Sequence, residues 1–236
     1  MKSFRQIMEA YVENKDGAEG VHPDTFKKNL MDKDRSTNDW VQERAEKHLT
    51  GDLSHIDSKA GDAVRRWTTP EYRDVNNHLR SGGGSKETEE LVGHLRRAVG
   101  GHKLPKAAWV YRGIHGPQSD KLRSLKKGDV FNNKGFSSTT LDPNRATHFG
   151  KGKDIIVTRL PKGQHALYAS HSKLNNHTSE KEMVLPDNTH FKYSHHEDIE
   201  APEYHYSGKP TGNMNKYRLH HVEVVHPTKS ISIDRD

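Results

Sequence analysis

Residues 178–186 read Thr178-Ser-Glu-Lys-Glu-Met-Val-Leu-Pro186, two glutamates one residue apart leading into three apolar side chains that a proline closes. A short apolar run bounded by a turn signal predicts a buried strand. Residues two apart in a strand share a face. Glu180 and Glu182 are therefore expected to present their carboxylates together, if strand geometry already holds where the strand starts. Such a pair is either a solvated entry to the sheet or an acid site.

Around this segment lies a series of β-type runs: 108–111, 129–131, 135–139, 154–160, 165–169, 182–185, 190–193 and 217–225. Lys127-Gly128-Asp129, Pro161-Lys162-Gly163 and Pro186-Asp187-Asn188 separate them as turns. Before about Ala107 the period changes. Val41, Ala45 and Leu49 recur every four residues, Tyr72, Val75, Asn76 and Leu79 follow the i, i+3, i+4, i+7 pattern, and Leu91, Leu95 and Val99 repeat it. A further helix is expected over 59–67, and Thr69-Pro70-Glu71 resembles a helix start. Helices followed by strands predict an α+β fold. The expected division is an N-terminal leader or arm over 1–21 and one domain over 22–236, helical to 104 and β-rich from 105.

The chain has 236 residues, 30% of them hydrophobic and 30% charged, enough for a core in one large domain or two small ones. No apolar run approaches the roughly 18 to 20 residues of a membrane span, and the N-terminus lacks the apolar stretch of a secretory signal. A soluble protein without membrane contact is expected. The chain has no cysteine, which excludes disulfides and thiolate chemistry. A net charge of +6 favours an anionic partner, although scattered basic residues also serve solubility. Eighteen histidines raise a metal question, yet no metal-ligand spacing occurs, and His195-His196-Glu197-Asp198 reads as a solvated turn. No metal is expected.

Three β segments carry polar residues in apolar settings: Val110-Tyr111-Arg112-Gly113, Gly135-Phe136-Ser137-Ser138-Thr139-Thr140, and Ser179-Glu180-Lys181-Glu182. Singly, each also fits ordinary sheet surface. In this order, and with Tyr72 to Arg80 ahead and 155–168 between, they resemble the mono-ADP-ribosyltransferases of the Arg-Ser-Glu type, including binary-toxin enzymatic components and related phage transferases. The resemblance runs from about Asp39 to Val225. It implies a mixed, mostly antiparallel core of two packed sheets with the helical portion against it, NAD as substrate, and a monomer.

The resemblance also implies roles. Arg112 would hold the dinucleotide phosphates, for which a guanidinium fork is matched in charge and geometry. Ser138, the first serine of the family's Ser-Thr-Ser motif, would orient Glu182; Thr140 replaces the third motif residue and keeps its hydroxyl. Glu182 would stabilise the positive charge that develops on the ribose as nicotinamide leaves. Glu180 would act on the acceptor, expected to be arginine in a protein. Gly113, Thr139 and Arg145 complete the implied dinucleotide site. Arg145 and its neighbour Asn144 also fit a solvated helix, and Tyr72 and Asn76 either line the cleft or pack a helix face. His177 stands where the family often has an aromatic residue for acceptor recognition.

An NAD glycohydrolase and a non-catalytic basic protein bound to packaged DNA are the competing readings, and a nucleic-acid acceptor is a further partner the charge admits. Met1 to Ala10 resembles the leader of proteins packed into tailed-phage heads, with Ile7-Met8-Glu9 before Ala10 as a cleavage site, and equally an amphipathic turn. On the first reading the protein enters the host cytoplasm with the phage DNA.

Overall fold

A computed structural model describes residues 17–30, 38–149, 153–175, 180–204, 210–226 and 231–232. Most of the proposed leader, including Met1 to Ala10, and His177 lie outside them. Five helices come first: α1 (Pro23–Leu30), α2 (Asn38–His48), α3 (Ser58–Trp67), α4 (Tyr72–Ser81) and α5 (Lys86–Gly101). Caps fix two of their starts. Asp57 accepts the Ala60 N–H at 2.7 Å ahead of α3, and Ser85 accepts the Thr88 N–H at 3.1 Å ahead of α5.

The β-rich part contains β1 (Ala108–Ile114), α6 (Pro117–Ser124), β2 (Val130–Asn133), β3 (Ser137–Thr140), α7 (Pro143–Phe149), β4 (Asp154–Leu160), β5 (Leu167–Tyr168), β6 (Glu182–Leu185), β7 (Thr189–Tyr204), β8 (Pro210–Val225) and β9 (Ile231–Ser232). The strands lie in the order β5-β6-β3-β1-β4-β8-β7-β2-β9. All neighbours are antiparallel except β4 with β8 and β2 with β9. The mixed, mostly antiparallel character is as expected, but the two separate sheets are not. β8 pairs with β4 on one side and β7 on the other, so hydrogen bonding runs through all nine strands as one sheet.

Two apolar clusters flank this sheet. The larger joins α1 and α2 to β1, β4, β7 and β8 through Phe26, Ala45, Tyr111, Ile155, Phe191 and Leu219. In the smaller, Val64 and Trp67 of α3, Val75 of α4 and Leu91 and Leu95 of α5 meet Phe136, Leu167 and Val184. The second cluster brings α3 and α4 to the β5-β6-β3 end of the sheet. No helix among the described residues is long and apolar enough to cross a membrane.

His195 to Asp198 is a correction. These residues belong to β7 and face His221, His220, Leu219 and Arg218 of β8. The His195 and His221 rings stack 4.4 Å apart, and Arg218 grips Asp198 at 2.7 and 3.0 Å. Cross-strand pairing has overridden a composition that favours a turn.

Candidate active site

The β3–β6 register sets the centre. Thr140 faces Glu182 across the ladder, and Ser138 lies two residues along β3 on the same face. That diagonal is within reach of a long side chain, and Ser138 hydrogen-bonds the Glu182 carboxylate. The backbone of Glu182 is held as well: its N–H donates to Ser170 Oγ at 2.8 Å and its carbonyl accepts the Ala169 N–H at 2.9 Å.

Trp67, the last residue of α3, donates its indole N–H to Glu182 Oε1 at 3.0 Å. Its ring packs edge-on against Phe136 and Tyr72. The sequence reading missed this residue, since a tryptophan on the apolar side of a helix looks like core. Its position just before Thr68-Thr69-Pro70, where α3 stops, is the signal that was present. Glu182 is 6% exposed. Burial pushes its pKa up to about 7, the Ser138 and Trp67 hydrogen bonds pull against that rise, and the nearby Glu180 charge adds to it.

Glu180 is exposed and lines the same cleft as Glu182, but not through a strand pleat. β6 begins only at Glu182, and Lys181 has φ +49°. The turn at Lys181 brings the carboxylates together. The lysine itself is buried, with Nζ 3.4 Å from Asp142 Oδ2.

The cleft has a volume of about 740 Å³. α4 supplies Tyr72, Arg73, Asn76 and Arg80, β1 supplies Arg112 and Gly113, β3 supplies Ser138 and Thr139, and α7 supplies Phe149. Arg145 is not in its lining; its N–H bonds Asp142 O at 2.9 Å in the first turn of α7. Asn144 likewise donates its N–H to Asp142 Oδ1. Tyr72 and Phe149, 42% and 50% exposed, line the cleft. Asn76 is buried as well as cleft-lining. Its Nδ2 donates to Phe136 O at 3.4 Å and its Oδ1 has no hydrogen-bond partner.

Gly135 keeps Asn76 in place. A Cβ at Gly135 would press on Asn76 Oδ1 and come within 2.8 Å of its Cγ. Gly135→Ala is expected to expel the Asn76 side chain at a cost of roughly 1–3 kcal/mol. Urea denaturation measures that cost, and an unchanged midpoint would mean that the side chain moves freely.

A family model described as ADP-ribosyltransferase exoenzyme matches residues 37–222. The chain belongs to this family. The matched span agrees with the 39–225 covered by the sequence resemblance. No curated protein matches the chain. Among solved structures, Plx2a, an ADP-ribosyltransferase toxin from Paenibacillus larvae, is 19% identical, with 73% of this chain and 89% of Plx2a covered and a TM-score of 0.58. The enzymatic component C2-I of the Clostridium botulinum C2-toxin is 18% identical over 73% of this chain and 45% of its own, with a TM-score of 0.62. The ADP-ribosyltransferase Vis, solved in complex with agmatine, is 20% identical, with 85% and 91% covered and a TM-score of 0.58. These likenesses establish the fold.

As a member of this family the chain is an NAD-dependent transferase. The cleft fits the dinucleotide. Its volume is in the range of small-molecule sites, Arg73, Arg80 and Arg112 suit phosphates, and two exposed rings suit flat bases. No group of three His, Cys, Asp or Glu side chains that could hold a metal occurs among the described residues.

Proposed function

We propose that the protein transfers ADP-ribose from NAD to an arginine side chain of a protein acceptor and releases nicotinamide. The observation that carries this reading is a buried carboxylate, Glu182, beside an exposed one, Glu180, in one cleft. Arg112 holds the phosphates. The bond from ribose C1 to the nicotinamide nitrogen breaks with its electron pair leaving on nicotinamide, and positive charge grows on the ribose. Glu182, oriented by Ser138, stabilises that charge more in the transition state than in the ground state. A guanidinium nitrogen then bonds to C1, and Glu180 takes the proton it loses. The fold neighbour Vis was solved with agmatine, which carries the guanidinium of arginine.

Incubation with labelled NAD and either agmatine or a cell lysate tests this reading. Labelled agmatine, labelled protein and released nicotinamide are the expected products. Free ADP-ribose without a labelled acceptor would support the glycohydrolase instead, and ribonuclease-sensitive label would move the acceptor to RNA. The phage-head reading rests on residues 1–10 alone. Mass spectrometry of virion protein beginning at Ala10 would support it.

Arg112→Ala bears on NAD binding. Ligand at 100 times its Kd stabilises the folded state by about 2.7 kcal/mol, so NAD is expected to raise Tm by several degrees in the unsubstituted protein and hardly at all in the variant. An equal rise in both would remove Arg112 from the phosphate site, and no rise in either would favour the DNA-bound, non-catalytic protein.

A further inference from the structure

We propose that the buried Lys181–Asp142 ion pair is a positioning device that holds Glu180 beside Glu182 and so sets how ADP-ribose divides between an arginine acceptor and water. The proposal rests on the function proposed above. Lys181 adopts a left-handed backbone conformation at φ +49°, uncommon for a residue with a side chain. Its side chain and that of Asp142 are 3% and 6% exposed, and Nζ lies 3.4 Å from Asp142 Oδ2.

Asp142 is itself anchored, because its Oδ1 accepts the Asn144 N–H at 3.0 Å at the start of α7. The backbone adds further ties. Leu141 N–H donates to Lys181 O at 3.1 Å, Thr140 Oγ1 donates to Glu180 O at 2.8 Å, and Thr140 Oγ1 in turn accepts the Asp142 N–H at 3.0 Å. The whole Glu180–Glu182 turn is thus fastened to residues 140–142.

A buried ammonium without a counter-charge is costly, so the pair fixes which way Lys181 points. With Lys181 turned inward, the residues on either side emerge at the cleft. The two glutamates do not depend on this equally. Glu182 is also held by the β6 ladder, Trp67 and Ser138. Glu180 precedes the strand and is exposed. Loosening the pair therefore displaces the acceptor-side carboxylate and leaves the other in place. A role in stability alone would lower all reactions of the cleft together.

The test is the double variant Lys181→Met/Asp142→Asn, which removes both charges so that neither is stranded and keeps an amide oxygen for the α7 cap. NAD hydrolysis and transfer to agmatine are measured side by side. The expected result is hydrolysis within about threefold of the unsubstituted enzyme, an unchanged KM for NAD, and transfer lowered tenfold or more. If the double variant does not fold, Lys181→Gln, one atom shorter and uncharged but still a hydrogen-bond donor, is expected to lower the transfer-to-hydrolysis ratio about threefold. Equal losses in both reactions, or an unchanged ratio, overturn this proposal alone. Absence of NAD cleavage in the unsubstituted enzyme overturns it together with the function on which it rests.

Discussion

Glu182→Gln is expected to lower transfer and NAD hydrolysis alike, by about 10³-fold in kcat, the scale on which a preorganised electrostatic contact acts in a transition state. The fold should survive. Glutamine has the same shape, its amide oxygen can accept the Trp67 N–H, and its NH₂ can donate to Ser138 where the carboxylate accepted. What disappears is the negative charge beneath the developing ribosyl cation. Single-turnover release of nicotinamide reads this step directly, and near-normal release would end the assignment of Glu182.

The same carboxylate predicts two pH effects of definite sign. Burial raises its pKa to about 7, and the ionised form is the one required, so kcat should climb as pH rises through about 7 and then level. Stability should move the other way. Between the unfolded value of 4.5 and the folded value of about 7, the native state holds a proton that the unfolded chain has released. Folding stability therefore falls across that window, by up to about 3 kcal/mol. Glu182→Gln should flatten this decline and be more stable than the unsubstituted protein at pH 8, as thermal unfolding at pH 5 and pH 8 would reveal. An identical fall in the variant would assign the pH dependence to another group.

Much of the scaffold was legible because it rests on period. Val41 and Ala45 are buried on α2 and Leu49 just after it, Leu91, Leu95 and Val99 on α5, and Met183-Val184-Leu185 in β6. Arg112, Ser138, Glu180 and Glu182, singled out by the order in which three motifs resemble those of a known family, line one cleft. Contacts made across the fold were not legible. Trp67 is 115 residues from Glu182 in sequence, and nothing local marks their meeting. The Glu180–Glu182 pairing was expected for a reason that does not hold, since a left-handed turn at Lys181 accomplishes what the pleat was supposed to do. One sheet instead of two follows from the β4–β8 pairing, which joins strands distant in sequence and is continued by the β7–β8 hairpin. His195 to Asp198 failed the local reading because their cross-strand partners in the following strand outweigh a composition that favours a turn.

Glu180→Gln should separate the two reactions that Glu182→Gln removes together. Deprotonating a guanidinium as its nitrogen attacks requires a nearby base, and general-base contributions are typically 10²- to 10⁴-fold. Transfer to agmatine is expected to fall about 100-fold, whereas hydrolysis, in which water attacks and the Glu182 contact is intact, should stay within about threefold. A second signature follows from electrostatics. The Glu180 charge helps to raise the Glu182 pKa, so removing it should shift the acid limb of the hydrolysis profile to lower pH. Simple loss of the acceptor site would leave that limb unmoved. Equal losses of transfer and hydrolysis with no shift of the limb would show that the two carboxylates do not divide the work in this way, and the arginine reading would lose its chemical basis.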